Sequence, residues 1–171
     1  MYIGIYKKKI QQLAKDKVNE MFFNVDVEHA TIVLTELIRN ADNYVYIIGK
    51  NMDPAVTDNE EYLKVVEGFL QKKDTIMKIL LTNYDKEIFN NSKIGKLLEK
   101  YKNVEIKHSE NKQITREGDI PVNFTVSDDR AFRFERDVDK CIAFGNFNDE
   151  ETAPFLAKKF NEFFEQGACL N

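Results

Sequence analysis

Two histidines and two cysteines in 171 residues leave few groups for nucleophilic or metal chemistry. Cys141 and Cys169 make neither a disulfide framework nor a metal-ligand pattern, which fits reduced thiols in a cytoplasmic protein that needs no cofactor. No pair drawn from His29, His108 and the cysteines has the spacing of a zinc site. The seven glycines are scattered, so neither a phosphate-cradling loop nor a dinucleotide fingerprint is present. A Gly-x-Ser-x-Gly elbow is absent too. No apolar run is long enough to span a membrane, and the opening residues place lysines after a very short apolar piece, the reverse of a secretory leader. Nor is there an excess of positive charge. The 25 Lys and Arg against 29 Asp and Glu leave a formal charge of -4, which disfavours general capture of nucleic acid.

What is present is ordinary globular material, 43% hydrophobic and 32% charged, enough for one packed core. A single domain over 1–171 is expected, with a helical N-terminal extension over 1–24 and the core over 25–167. Helical spacing of Ile10, Leu13, Ala14, Val18 and Met21 predicts a helix over 6–22, with Lys7, Lys8, Lys9, Lys15 and Lys17 on its solvated side. A second helix is predicted over 25–40, capped by Asp26 with His29 in its first turn. The run YVYIIG, ending at Gly49, reads as a strand buried on both faces, and TIMKILL and VEIKH read as two more strands. Helices predicted over 58–72, capped by Asp58, and over 85–101 join these strands as crossover units, which implies parallel pairing. Residues 109–118 are polar and aperiodic and read as a surface loop. A helix over 152–166, with Phe155, Leu156, Phe160, Phe163 and Phe164 as its core stripe and Gly167 as its cap, closes the chain.

Polar chemistry gathers in residues 120–148, IPVNFTVSDDRAFRFERDVDKCIAFGNFND, which read as three strands over 122–127, 131–135 and 138–144. Asp128-Asp129-Arg130 turns the chain, and turn chemistry accounts for the two aspartates better than catalysis does. Asn123, Thr125 and Ser127 share one strand face, with Arg133 and Glu135 on the returning strand. A half-exposed strand would show the same alternation, with Arg133 and Glu135 as a surface pair worth about 0.2–1 kcal/mol. Lys50 and Asn51 leave the end of the first central strand, where α/β folds commonly place ligand-binding groups.

In element order, and in the phrases VNFTVSDDRAFRFE and AFGNFND, the chain resembles a single phospholipase D-like domain from about Ala30 to Gly167. The resemblance implies an α/β fold with a mixed, largely parallel sheet and helices on both faces. That family carries His-x-Lys-x4-Asp on one strand and Gly-Ser-x-Asn at the end of a later one. Gly145 and Asn148 match the second motif, but Asn146 replaces its serine. Asn123 stands at the histidine, Thr125 at the lysine and Arg130 at the aspartate. The family's chemistry runs through a phosphohistidine with lysines on the phosphoryl oxygens, and neither an amide nor a hydroxyl replaces those groups.

The resemblance therefore implies a non-catalytic, homodimeric domain that binds a protein partner or a phosphate-bearing ligand. Its expected pocket comprises Asn123, Thr125, Ser127, Arg133, Glu135 and Asn148, with Lys50 and Asn51 at the rim. The alternative is a phosphodiesterase or nuclease with a rearranged site drawn from His108, Asp128, Asp129 and Glu135, assisted by a divalent ion such as magnesium.

Overall fold

The computed structural model describes residues 2–109 and 123–170, together with the backbone of 115–116 and 120–121. Among the described residues the elements follow in the order α1 (Ile3–Lys15), β1 (Phe22–Asn24), α2 (Val27–Arg39), β2 (Tyr44–Gly49), α3 (Pro54–Thr57), α4 (Glu60–Leu70), β3 (Ile76–Leu81), α5 (Lys86–Asn91), α6 (Lys93–Leu98), β4 (Val104–His108), β5 (Thr115–Arg116), β6 (Ile120–Pro121), β7 (Asn123–Ser127), β8 (Ala131–Asp137), β9 (Ile142–Asn146), α7 (Thr152–Glu165) and β10 (Ala168–Cys169). Eight strands form one sheet in the order β1-β9-β8-β7-β2-β3-β4-β10, while β5 and β6 pair separately. The parallel pairing implied by the crossover units holds for β2, β3 and β4. The other five pairings in this sheet run antiparallel, so it is mixed as expected but not largely parallel: the parallel part is confined to β2, β3 and β4, because the hairpin strands β7, β8 and β9 and the edge strands β1 and β10 all join it antiparallel.

Alternation along β7 and β8 assigns the two faces. Phe124, Val126 and Phe132 pack with Ile48 and Leu80 against Leu156, Phe160 and Phe164 of α7. Val45, Ile47, Met77, Ile79 and Leu81 face the other way, toward Ile38, Tyr62, Val66 and Phe69 of α2 and α4. Tyr6, Ile10 and Leu13 of α1 pack on Val33 and Leu37 of α2 and on Phe22. Among the described residues no helix is long and apolar enough to cross a membrane.

Several expected boundaries move, each for a local reason. The first helix ends at Lys15, and Lys17 turns the chain with φ 50°. Phe22, expected to end that helix, instead begins the sheet's edge strand Phe22–Asn24 and lies opposite Gly145. A Cβ on Gly145 would lie 2.4 Å from Cζ of Phe22 and 2.1 Å from the Phe132 carbonyl, so this approach requires glycine. Asn59, not Asp58, caps α4, because Asp53 and Pro54 start a separate short helix, α3, just before it. The helix expected over 85–101 breaks at Ser92, whose hydroxyl donates to the Phe89 carbonyl (2.6 Å) and accepts from the Gly95 amide (3.0 Å). Residues 138–141 are a turn, so the third hairpin strand begins at Ile142. Gln166 rather than Gly167 is the cap of α7, and Phe155 on that helix points outward, 57% exposed. Asp26 caps α2 as expected, accepting from the His29 amide at 2.8 Å. Val122 and most of the predicted loop over 109–118 lie outside the described residues.

The two aspartates of the hairpin turn are structural. Asp128 and Asp129 take φ 53° and 52°, a left-handed conformation that Asp tolerates better than most residues. The Asp128 carboxylate accepts from the amides of Asp42, Asn43 and Tyr44 at 2.6, 2.8 and 3.0 Å, pinning the turn to the start of β2. Hydrogen bonds to a charged, buried acceptor contribute about 1.5–3 kcal/mol each. Asp128→Ala is therefore expected to cost about 4 kcal/mol, and Asp128→Asn, which keeps one acceptor oxygen, about half that. In thermal denaturation of a chain this size the first loss reads as a fall in Tm of roughly 10 °C. Equal melting of Asp128→Ala and the parent would contradict this role.

Candidate binding site on the hairpin strand

At the carboxyl end of β2 the sheet opens into a cavity of about 130 Å³. The loop after β2 supplies Lys50, Asn51, Met52 and Asp53, and β7 and β8 supply Asn123, Thr125, Arg133 and Glu135. Thr57 of α3, Tyr62 of α4 and Cys141 of the turn before β9 also line the cavity. Six of the residues expected from sequence thus meet at one place: Lys50, Asn51, Asn123, Thr125, Arg133 and Glu135.

The face that carries them is not solvated surface. Asn123, Thr125 and Arg133 are 8%, 3% and 3% exposed. The reason is topological: β7 lies inside the sheet between β2 and β8, and α2 packs over the polar side of both hairpin strands. Arg133 and Glu135 are likewise no surface pair. Their side chains are only 4% and 12% exposed and meet at 2.9 Å. Removing one partner of such a pair strands the other charge in a poor solvent, which costs about 3–5 kcal/mol.

Around this pair a closed network forms. Arg133 Nε donates to Asn24 Oδ1 at 2.9 Å, and Nη2 donates to the Cys141 carbonyl at 3.4 Å. The Asn24 amide also donates to that carbonyl. Asn123 Nδ2 donates to the second oxygen of Glu135 at 2.9 Å. Four elements, β1, β7, β8 and the turn before β9, are thereby tied to one guanidinium–carboxylate pair. Asn24 and Cys141 had not been singled out from sequence. A buried amide on a strand of three residues has no periodicity to announce it, and Cys141 contributes a carbonyl that any residue type would supply.

Two loops rim the cavity, and Lys50 Nζ to Asp139 Oδ1 (2.5 Å) joins them. The hydrogen bond and charge of Lys50 hold the Asp139 carboxyl below its ordinary range. Met52 and Cys141, one in each loop, have φ 56° and 55°. Burial, with the Glu135 charge adding to it, pushes the Cys141 thiol above its ordinary value, so it is a poor nucleophile at neutral pH.

The other expected site residues lie elsewhere. Ser127 is buried on the same face of β7 but does not line the cavity. Asn148 sits past the far end of β9 beside Asn19, Asp149, Glu150 and Glu151, with its amide on Asn146 Oδ1. His108 ends β4, separated from β7 by β2 and β3, and stacks at 5.8 Å on Tyr84. Asp129 accepts from the Tyr44 hydroxyl at 2.6 Å. From Asn123 to Asp128 the chain advances five residues along an extended strand, roughly 16 Å. The rearranged set of His108, Asp128, Asp129 and Glu135 is therefore not brought together, because its members belong to opposite ends of the sheet and to different strands. Among the described residues no cluster of three His, Cys, Asp or Glu is placed to hold a metal ion. The lysine face of α1 is partly committed as well, with Lys7 on Glu61 (2.6 Å) and Lys9 on Glu20 (2.9 Å).

The contact between Asn123 and Glu135 gives a pH test. Asn123→Asp would set a second carboxylate 2.9 Å from the first, and one of the two must then hold a proton. The folded pKa would rise above the unfolded value of about 4, so the folded chain would keep a proton that the unfolded chain has released. The variant should match the parent near pH 4 and lose stability as pH rises, by about 2 kcal/mol at pH 7. Urea unfolding at both pH values reads this, and a deficit of equal size at each would contradict the contact.

No family model matches the sequence, and no curated protein matches it. Solved structures do. The archaeal chromatin protein TrmBL2, whose structure shows a novel mode of DNA binding, superposes with a TM-score of 0.63 over 98% of this chain at 14% identity, and the chain spans 62% of that protein's length. NucT from Helicobacter pylori gives 0.61 at 15% identity, covering 90% of this chain and 100% of that one. Nuc from Salmonella typhimurium, a phospholipase D family member, gives 0.57 at 10% identity, covering 89% and 99%. Identities this low speak for the fold alone, and the fold is phospholipase D-like.

Proposed function

We propose that this chain is a non-catalytic phospholipase D-like domain, a binding or regulatory module whose ligand enters the cavity between β2, β7 and β8. The observation that carries this reading is the make-up of the motif strand. In the register that the sequence resemblance implies, Asn123 and Thr125 stand at the family's histidine and lysine, and both residues line a cavity whose guanidinium and carboxylate already satisfy each other. Taking the buried turn carboxylate, Asp128, as the motif aspartate moves the register by two residues. Pro121 and Asn123 then fall at the reactive positions, and neither register supplies a histidine or a lysine.

Phosphodiester cleavage by covalent catalysis needs a nucleophile that can accept and release the phosphoryl group. An amide nitrogen is not one, and the Cys141 thiol is held protonated. DNA binding is described for one structural neighbour, but a formal charge of -4 offers this chain little general attraction to a polyanion. A protein or small-molecule partner, a homodimeric assembly and a cytoplasmic setting complete the proposal.

The test is turnover by the pure chain of bis(4-nitrophenyl) phosphate and of single- and double-stranded DNA, with magnesium, with manganese and with chelator. No product above the blank is expected in any of them. Turnover that disappears in Asn123→Ala would overturn the reading. Light scattering on the same preparation is expected to give twice the monomer mass, and a monomer at micromolar concentration would remove the dimer from the proposal.

A further inference from the structure

The cavity wall holds three polar atoms with no hydrogen-bond partner among the described residues. The Tyr62 hydroxyl is the first, on a side chain 1% exposed. Burial alone raises its pKa, with no charge or hydrogen bond contributing. The second is the hydroxyl of Thr125, 3% exposed. The third is the side-chain oxygen of Asn123. An ionised Glu135 only accepts, so the Asn123 nitrogen must face it at 2.9 Å, and this leaves the amide oxygen open. Among the described residues only Asp58 Oδ1 is a side-chain atom both sealed from solvent and unpaired, so these three keep access to the cavity they line, and a polar occupant would take the place of water there.

The charges lining that space are already matched. Arg133 is spent on Glu135, Asn24 and the Cys141 carbonyl. Lys50 is engaged by Asp139 at the rim, and Asp53 caps α3 through the Ala55 amide at 2.9 Å. An anion entering here would find no uncommitted cation and would lose its hydration without compensation. The remaining wall is apolar, from Leu34, Ile47, Met52, Val56 and Phe124. A volume of about 130 Å³ corresponds to roughly four water molecules at about 30 Å³ each, which is small for a ligand.

We propose that this cavity takes a small uncharged polyol, about three or four carbons long, in place of a phosphate-bearing ligand. Its hydroxyls bond to Tyr62, Thr125 and the Asn123 oxygen, and its carbon skeleton lies against Met52 and Phe124. The proposal rests on the reading of the cavity as a binding site and names the class of ligand it accepts.

The experiment is a titration of the full isotope-labelled chain, followed by amide chemical shifts, with glycerol, erythritol, inorganic phosphate and glycerol phosphate. Saturable shifts centred on residues 49–53 and 123–125 are expected with glycerol or erythritol, and none there with either phosphate. Thr125→Val and Tyr62→Phe, which remove a hydroxyl at nearly constant volume, should each weaken the polyol about tenfold, the equivalent of one hydrogen bond. Tighter binding of phosphate or glycerol phosphate would overturn the proposal. So would polyol shifts that both variants leave unchanged, or the absence of saturable shifts with either polyol. Any of these results alongside zero phosphodiester turnover rejects the ligand class alone, whereas turnover rejects the non-catalytic reading whichever ligand binds.

Discussion

The buried contact between Arg133 and Glu135 is the constraint on which the site depends. Two opposite charges on alternate residues of β8 sit beneath α2, almost shut away from water. Desolvating them is expensive, and their attraction offsets that cost only if the remaining donors and acceptors are also matched. Asn24, Asn123 and the Cys141 carbonyl do the matching. The edge strand β1, the motif strand β7 and the turn before β9 thus inherit their positions partly from one guanidinium. The same pair sets the electrostatic character of the cavity, because it leaves that space lined with dipoles instead of an unanswered charge.

A phospholipase D-like fold places the ends of β2 and β7 beside each other whatever side chains they carry. Geometry of this kind is inherited by the backbone, whereas reactivity depends on a few residues. Here Gly145 admits the ring of Phe22, and β7 contributes Asn123 and Thr125, an amide and a hydroxyl, to the cavity lining. On the proposed reading, a cavity of that composition would recognise its ligand by hydrogen bonds. The two rim loops, each with a residue held at positive φ and joined by Lys50 and Asp139, confine its mouth.

Much of this was legible in the residues. The apolar runs of β2 and β3 are nearly unbroken because those strands lie inside the sheet with core on both faces, whereas β4 alternates, and Asp26 marks the start of α2. The alternation in β7 and β8 assigned the phenylalanines to one face and the polar groups to the other. What alternation could not say was whether the polar face meets water, since that depends on α2, far away in sequence. β1 was hidden for a related reason: three residues carry no period, and Phe22 reads equally well as the end of a helix. The Ser92 break was missed because the apolar stripe continues through it, although a serine three residues before a glycine was the available hint. Tyr62 belongs to the core and also lines the cavity, a double placement that residue type and spacing do not carry.

The central claim is that the charges beneath α2 are committed to each other and not held out to a ligand. A double-mutant cycle on Arg133→Met and Glu135→Leu, read by urea unfolding at neutral pH, tests it most directly. Each single change should cost about 3–5 kcal/mol by stranding its partner, while the double change costs far less than their sum, a coupling of about 3 kcal/mol. Additive losses, with a coupling near zero, would mean that each charge is solvated on its own and open to an incoming ion, contradicting a closed, neutral site.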